Sequence, residues 1–257
     1  MICDNCHHRF RGNFCSHCGK QAAVDRFSMR SIWEEFYAFA SSITVLFFQT
    51  VYRLSVKAPA HLKTFLFKDR EYLLSPVEYL LFSGTVVSIL TIKFNFFQTG
   101  FNQFEPDTHM LFLSRDFLLF LNDFFSYAEE YSSLTNIIAI PCFAVCSYLV
   151  FYQEHYSFGE HLIVNTYIAA QQALLLLLLF PFITLFPSAK GTLLDGYIVA
   201  SIVYNIWIYY GLFTDHKTLT ALKAALCLVL AYVLGLLFNL CIYSLLLPYK
   251  EFIDPFI

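Results

Sequence analysis

Long apolar runs separated by short polar connections occupy most of this chain. Five of them, at about 77–97, 134–152, 162–186, 193–213 and 221–247, approach the ~20 residues that carry a helix across a bilayer. An earlier run, 33–54, has a different pattern. Trp33, Phe36, Tyr37, Ala40, Ile43, Phe47 and Val51 recur at steps of three and four, which makes one apolar stripe on an amphipathic helix. No charge falls between Glu35 and Arg53, as in a short span, but the charge distribution along the chain favours a helix lying in the membrane interface. A second interfacial helix is predicted over 110–127, with Arg115, Asp116, Asn122 and Asp123 on its polar side.

Composition agrees with this patterning. Of 257 residues, 58% are hydrophobic and 14% charged, against about 25% charged in a typical soluble domain. Mean hydropathy is +0.59. A net charge of −3 gives no electrostatic footprint for nucleic acid, so none is expected as a partner. The chain opens on Cys, His and Arg, without the basic-then-apolar pattern of a secretory signal, so the first apolar span is expected to serve as its own insertion signal.

Lysine and arginine placement sets the expected orientation. Arg9, Arg11, Lys20, Arg26, Arg30, Arg53, Lys57, Lys63, Lys68 and Arg70 precede the first span. The connection 98–133 carries Arg115 among six acids. The rule that basic residues stay inside puts the N-terminus in the cytoplasm of a bacterial inner membrane, and five spans put the C-terminus outside. Were 33–54 also to span, Lys57, Lys63, Lys68 and Arg70 would fall on the wrong side. Residues 55–75 read as a basic and polar connection with Pro59 and Pro76 as breakers, and its basic part, 57–70, is expected to lie along the anionic cytoplasmic leaflet.

The first eighteen residues carry the most specific motif. Cys3-x2-Cys6-x8-Cys15-x2-Cys18 supplies four thiolates, the usual donor set for one tetrahedral Zn²⁺. A segment this short cannot bury a core of its own, and metal binding would stabilise it instead. Gly12-Asn13 is expected to make the turn between two knuckles, Phe10 and Phe14 to cover the site, and Gly19 to form the bend after Cys18. Two other chemistries stay open on spacing alone. Cys3-Asp4-Asn5-Cys6-His7 has the letters of a c-type haem attachment, and either pair could be a redox dithiol. Haem attachment would need an exported N-terminus and would leave the second pair unexplained, and neither pair sits in the thioredoxin-like βαβ context of a redox dithiol. His7, His8 and His17 read as solvated. Cys142, Cys146, Cys227 and Cys241 lie in apolar runs and read as small packing residues.

Polar residues inside the apolar region mark a second candidate site. Glu160, His161 and Asn165 surround the entrance to the third apolar run. They could form a carboxylate–imidazole cluster that binds a ligand or relays protons. The plainer reading is a helix start, with Glu160 stabilised by the macrodipole and His161 packed at the interface. Gln171, Gln172, Asn205 and Asn239 are expected to bond neighbouring helices. Pro141 and Pro181 are expected to kink their helices, Glu78 to pair with the basic stretch, and Lys93 to snorkel. No phosphate loop, nucleophile elbow or carboxylate pair stands in a convincing context, which favours a non-enzymatic role.

The order of motifs resembles the bacterial domain-of-unknown-function 3667 family. The matching pieces are Gly12-Asn13-Phe14-Cys15-Ser16-His17-Cys18-Gly19 behind Cys3, then Arg26-Phe27-Ser28, and Lys68-Asp69-Arg70-Glu71-Tyr72-Leu73-Leu74-Ser75-Pro76. Further on come Pro141-x-Phe143-Ala144, Glu160-His161-Leu162, and the run from Lys217 to Tyr232. Lys20 stands where the family pattern suggests Gln. The resemblance implies a zinc-ribbon-headed, multi-span inner-membrane protein, mainly of Bacteroidetes, and implies no activity.

Together these features predict an all-α polytopic membrane protein of about five spans plus interfacial helices. Its layout is a zinc-binding head over 1–21, a linker over 22–75 and a helical membrane domain over 76–257. The expected partners are the lipid bilayer and a cytosolic protein docked through the head. A scaffold or recruitment role is favoured. A transporter or membrane enzyme built around Glu160 and His161 is the alternative.

Overall fold

The computed structural model describes residues 2–3, 5–12, 14–19, 28–93, 123–124, 132–213 and 217–253. They form an all-α membrane protein with a four-cysteine cluster near the N-terminus. Six helices follow in order: α1 (Met29–Phe67), α2 (Pro76–Lys93), α3 (Ser132–Val150), α4 (Phe158–Leu185), α5 (Lys190–Leu212) and α6 (Lys217–Ile253). Short 3-10 turns, Tyr152–Glu154 and Pro187–Ala189, precede α4 and α5. Among the described residues, three stretches have the length and apolarity to cross a membrane: Phe158–Leu185, Pro187–Leu212 and Leu219–Leu245. Two shorter apolar helices, Pro76–Leu90 and Ile137–Val150, match the first two predicted runs. The predicted helix over 110–127 lies outside the described residues, apart from the helical pair Asp123 and Phe124, as does the side chain of Lys93.

The chain divides into two compact units, Met1–Val45 and Leu46–Ile257. In the second, α4 is the centre. It lies parallel to α2, since Tyr79 bonds Gln171 while Val87 and Leu90 pack on the later Leu176, Phe180 and Ile183. α3 and α5 run antiparallel to it through short connections, and α6 packs on α3 and α5. Phe143 of α3 meets Tyr232 of α6 edge-on at 5.3 Å. The outer faces carry exposed Leu178, Leu222, Val229, Leu237 and Leu245. Helices this apolar around their whole circumference find no solvent partner in water, whereas lipid accepts such faces.

α1 departs most from the predicted layout. The pattern ends a helix near residue 54 and gives 55–75 to a polar connection. The helix instead continues to Phe67, with a break at Lys57 (φ −140°, ψ 48°) two residues before Pro59. Pro59 lacks the N–H that would bond the Ser55 carbonyl, and its ring crowds that carbonyl. Neighbouring helices compensate for the break. Tyr204 of α5 donates to the Leu54 carbonyl at 3.1 Å, and Gln171 of α4 donates to Ser55 Oγ at 2.8 Å. Leu54, Ala58 and Leu62 are fully buried. Residues 46–67 are therefore a packed part of the second unit.

The turn 68–75 locks α1 to α2. Asp69 Oδ1 accepts the Glu71 N–H at 2.9 Å, an Asx turn that stops the helix. Leu73 and Leu74 are buried; the Leu74 N–H donates to Thr50 Oγ1 at 2.9 Å, and its carbonyl accepts from Tyr167 at 2.6 Å. Ser75 then caps α2, with Pro76 in the first turn. Its hydroxyl donates to Glu78 Oε2 at 2.8 Å. Glu78 thus serves the cap, and among the described residues it makes no ion pair with the basic stretch.

Candidate metal centre and buried polar network

Two copies of one small turn build the cysteine cluster. In the first, the His7 N–H bonds the Cys3 carbonyl at 2.8 Å; in the second, the Gly19 N–H bonds the Cys15 carbonyl at 2.9 Å. Each turn closes on a left-handed residue right after its second cysteine, His7 at φ 54° and Gly19 at φ 71°. Gly takes that conformation freely and His at some cost. Gly12, at φ 116°, makes the turn between the knuckles, while Asn13 lies outside the described residues. A bridge between Ile2 and Arg9 and the Cys3 N–H on the His8 carbonyl (3.0 Å) close the first knuckle. Phe10 packs on Cys3 and Cys15 at 7% exposure, but Phe14 is 62% exposed and covers nothing. His8 and His17 stack at 5.4 Å.

The four sulfurs lie within 4.8 Å of one another. Cys3 and Cys18 are 3.5 Å apart, and Cys6 and Cys15 are 3.6 Å apart. A tetrahedron of sulfurs around zinc has edges of about 3.8 Å, from a metal–sulfur bond of ~2.3 Å. The donor set therefore fits one metal ion. Backbone amides prepare it for anionic sulfur. Burial raises the Cys15 thiol, but the N–H groups of Cys18 and His17, together with hydrogen bonds from the Cys6 and Cys18 thiols, bring it below its ordinary value. The His8 N–H favours the Cys6 thiolate, yet burial and the three neighbouring sulfurs push Cys6 up to about 12. Four thiolates this close repel one another, and a dication is what relieves that repulsion.

Glu160 and His161 diverge. Glu160 is the third residue of a capping box: the Ser157 N–H donates to its Oε2 at 2.6 Å, and the Glu160 N–H donates to Ser157 Oγ at 3.3 Å. Its carboxylate is occupied in starting α4. His161 is buried, with Nδ1 3.0 Å from Ser147 Oγ of α3. Asn165, one turn on, donates to the same Ser147 Oγ at 3.1 Å and to the His161 carbonyl at 2.8 Å. Tyr209 of α5 donates to Asn165 Oδ1 at 2.6 Å. Phe213 stacks on the His161 ring at 5.6 Å, and Tyr148 and Tyr156 meet it edge-on. His161 Nε2 is buried without a hydrogen-bond partner.

His161 and Asn165 thus share a site, as their spacing suggests, while Glu160 stands apart. Ser147 and Tyr209 complete the network and carry no motif of their own. The glutamines do join helices: Gln171 links α1 and α2, and Gln172 reaches the Ser201 carbonyl of α5. Asn205 and Asn239 instead bond carbonyls of their own helices, at Ser201 and Gly235. α3 and α4 each run as one helix through Pro141 and Pro181. Cys142, Cys146 and Cys227 are buried as predicted, and Cys241 is exposed. Comparison with protein-family models, with characterised proteins and with solved structures returned no match.

Proposed function

We propose that the chain is a multi-pass protein of a bacterial inner membrane whose cytoplasmic head binds Zn²⁺ through Cys3, Cys6, Cys15 and Cys18 and docks a cytosolic protein. In this reading it is a non-enzymatic scaffold or recruitment factor. The observation that carries it is the convergence of four sulfurs within 4.8 Å inside a compact unit separate from the helical body. A closed all-thiolate set suits a structural ion and leaves no open position for catalysis. Soft tetrahedral sulfur selects zinc or iron. The ten basic residues before α2 support a cytoplasmic head. The motif likeness to the domain-of-unknown-function 3667 family agrees with this layout.

A second reading, a transporter or membrane enzyme, draws on the unpartnered His161 Nε2. The capping role of Glu160 weakens it, because that removes the carboxylate from the proposed pair. One experiment addresses both. The full chain is purified in mild detergent without chelators, its metal is measured, and its co-purifying proteins are compared with those of a Cys15→Ser/Cys18→Ser variant and of His161→Ala. The scaffold reading expects about one zinc per wild-type chain. It also expects a cytosolic partner that the cysteine variant loses and His161→Ala keeps. A partner retained without metal would sink it. Reporter fusions after Arg70 and after Ile257 should report opposite compartments, and same-side signals would refute the five-span orientation.

A further inference from the structure

The turn bonds of the head lie within single knuckles, His7 to Cys3 and Gly19 to Cys15, but its sulfurs meet between them. Cys18 of the second knuckle touches Cys3 of the first at 3.5 Å, and Cys6 of the first touches Cys15 of the second at 3.6 Å. Each contact joins a more open cysteine to a buried one. Cys18 is exposed and Cys6 half-buried, while Cys3 and Cys15 are 5% and 2% exposed. A thiolate that an oxidant can reach, beside a second thiol that traps the product, is the arrangement of a redox-sensing pair. A disulfide is about 2.05 Å long, so each pair has to close by about 1.5 Å. Pairing within each Cys-x-x-Cys would cut the sulfur link between the knuckles. Pairing across them keeps the knuckles joined with their donors facing one another, so reduction returns the donor set.

We propose that the head is a peroxide-sensitive thiol switch whose oxidised form is cross-linked between the knuckles by Cys3–Cys18 and Cys6–Cys15. The Cys18 thiolate attacks the O–O bond of hydrogen peroxide, takes one oxygen as the sulfenic acid and expels hydroxide. The Cys3 thiolate then attacks the Cys18 sulfur. The S–S bond forms, the S–O bond breaks, and hydroxide leaves. Cys6 and Cys15 repeat the sequence with a second peroxide. Four thiolates give up four electrons, and two peroxides with four protons from solvent become four waters. No anionic sulfur is left to hold a dication. The cytosol suits such a device, because disulfides there are transient and redox-sensing. The inference rests on the reading of the head as a cytoplasmic zinc site and adds its regulation.

The test uses the full wild-type chain, purified in mild detergent without chelators, with zinc measured before and after hydrogen peroxide. Trypsin cuts after Arg9, Arg11 and Lys20, which puts Cys3 and Cys6 on one peptide and Cys15 and Cys18 on another. Remaining thiols are alkylated and the peptides read by mass spectrometry. Peroxide should lower the zinc from about one per chain to none. It should also link the two peptides of a single chain, with fragmentation placing the bonds at Cys3–Cys18 and Cys6–Cys15. A thiol reductant should undo the link and restore about one zinc per chain once zinc is supplied. Separate peptides each closed by an internal disulfide would overturn the proposal. So would a sulfinic acid without a disulfide, or disulfides between different chains on a non-reducing gel. The switch and the zinc site fail separately. Zinc that stays bound under peroxide, with all four thiols unchanged, rejects the switch and keeps the site. No zinc before oxidation rejects the site, and the peptide map, which needs no metal, still decides the pairing.

Discussion

The docking of α1 on α5 can be tested with two glycines of one helix. A Cβ added at Gly211 would lie 2.5 Å from Pro59 Cβ and equally close to its Cγ. Carbon atoms in good contact are about 3.5–4.0 Å apart, so α1 and α5 would have to separate by roughly 1 Å or more. Pro59 is part of a ring in a fixed backbone and cannot swing away as a long side chain would. Separation would also stretch the Tyr204 bond to the Leu54 carbonyl nearby. Overpacking of this kind costs about 1–3 kcal/mol. Gly196, on the same helix, would meet nothing within 4 Å. The gain in helix propensity from Gly to Ala, up to about 1 kcal/mol, applies to both sites and largely cancels in their difference.

Gly211→Ala should therefore be less stable than Gly196→Ala by about 1–3 kcal/mol, with Gly196→Ala at or above wild type. In a chain of this size that is a gap of roughly 2–12 °C in the midpoint of thermal unfolding, measured on purified protein in one detergent. A Pro59→Ala change on the Gly211→Ala background should recover part of the gap by shrinking the opposing ring. Equal midpoints for the two alanine variants would refute the contact, and with it the placement of residues 46–67 in the packed body.

Four further outcomes follow from the geometry. Adding a strong chelator should strip the metal and loosen the head, while the unfolding transition of the body stays put, because the two are separate compact units; a shift of both together would show one cooperative unit. Ser157→Ala should cost the start of α4 about 1 kcal/mol and Glu160→Gln less than about half of that, since Gln also serves a capping box; a larger loss with Glu160→Gln in unfolding assays would restore a charge-dependent role. Tyr209→Phe should cost roughly 1 kcal/mol by leaving Asn165 Oδ1 buried and unpaired, and no change in denaturant midpoint would mean that the amide finds another donor. His61, held low by burial and by Arg53 and Lys57, binds protons less readily folded than unfolded. Its contribution is intact above the unfolded value near 6.5 and is lost as pH falls through it, so His61→Gln should flatten the decline in midpoint between neutral and mildly acidic pH in lipid-free detergent.

How much of this was readable from the chain depended on the range of each interaction. The head was legible because two Cys-x-x-Cys pairs state both donor type and geometry within eighteen residues. The role of Glu160 was written locally too, in Ser157-Phe158-Gly159-Glu160, the Ser-x-x-Glu signature of a capping box. The true extent of α1 was not. A proline after a basic residue reads as a stop, and what lets the helix continue, Tyr204 and Gln171, lies more than a hundred residues away in sequence. Ser147 and Tyr209 are nearer in sequence to their partners, 14 to 44 residues away, yet still on other helices. A serine and a tyrosine in apolar runs look like any other until α3 and α5 bring them to Asn165.

The polar residues of α4 fall into two stripes that its average apolarity conceals. At about 100° per residue, His161, Asn165 and Gln172 lie within a narrow arc, and Tyr167 and Gln171 share another roughly 120° away. The first stripe is used on α3 and α5, through Ser147, Tyr209 and the Ser201 carbonyl. The second is used on α1 and α2, through Leu74, Tyr79 and Ser55. In lipid the apolar faces of helices are nearly interchangeable, so hydrogen bonds across helices do much of the work of choosing neighbours. Two stripes on one helix are enough to fix which pair of helices packs on each side. A polar residue recruited this way is paired within the bundle and has little left to offer a substrate, which is why the interior of α4 favours a fixed scaffold. His161 Nε2 is the exception in the first stripe. If His161→Phe, which fills the same aromatic surround, leaves stability and partner binding unchanged, the imidazole is packing; if it removes a cellular phenotype at normal expression, the transporter reading regains its footing.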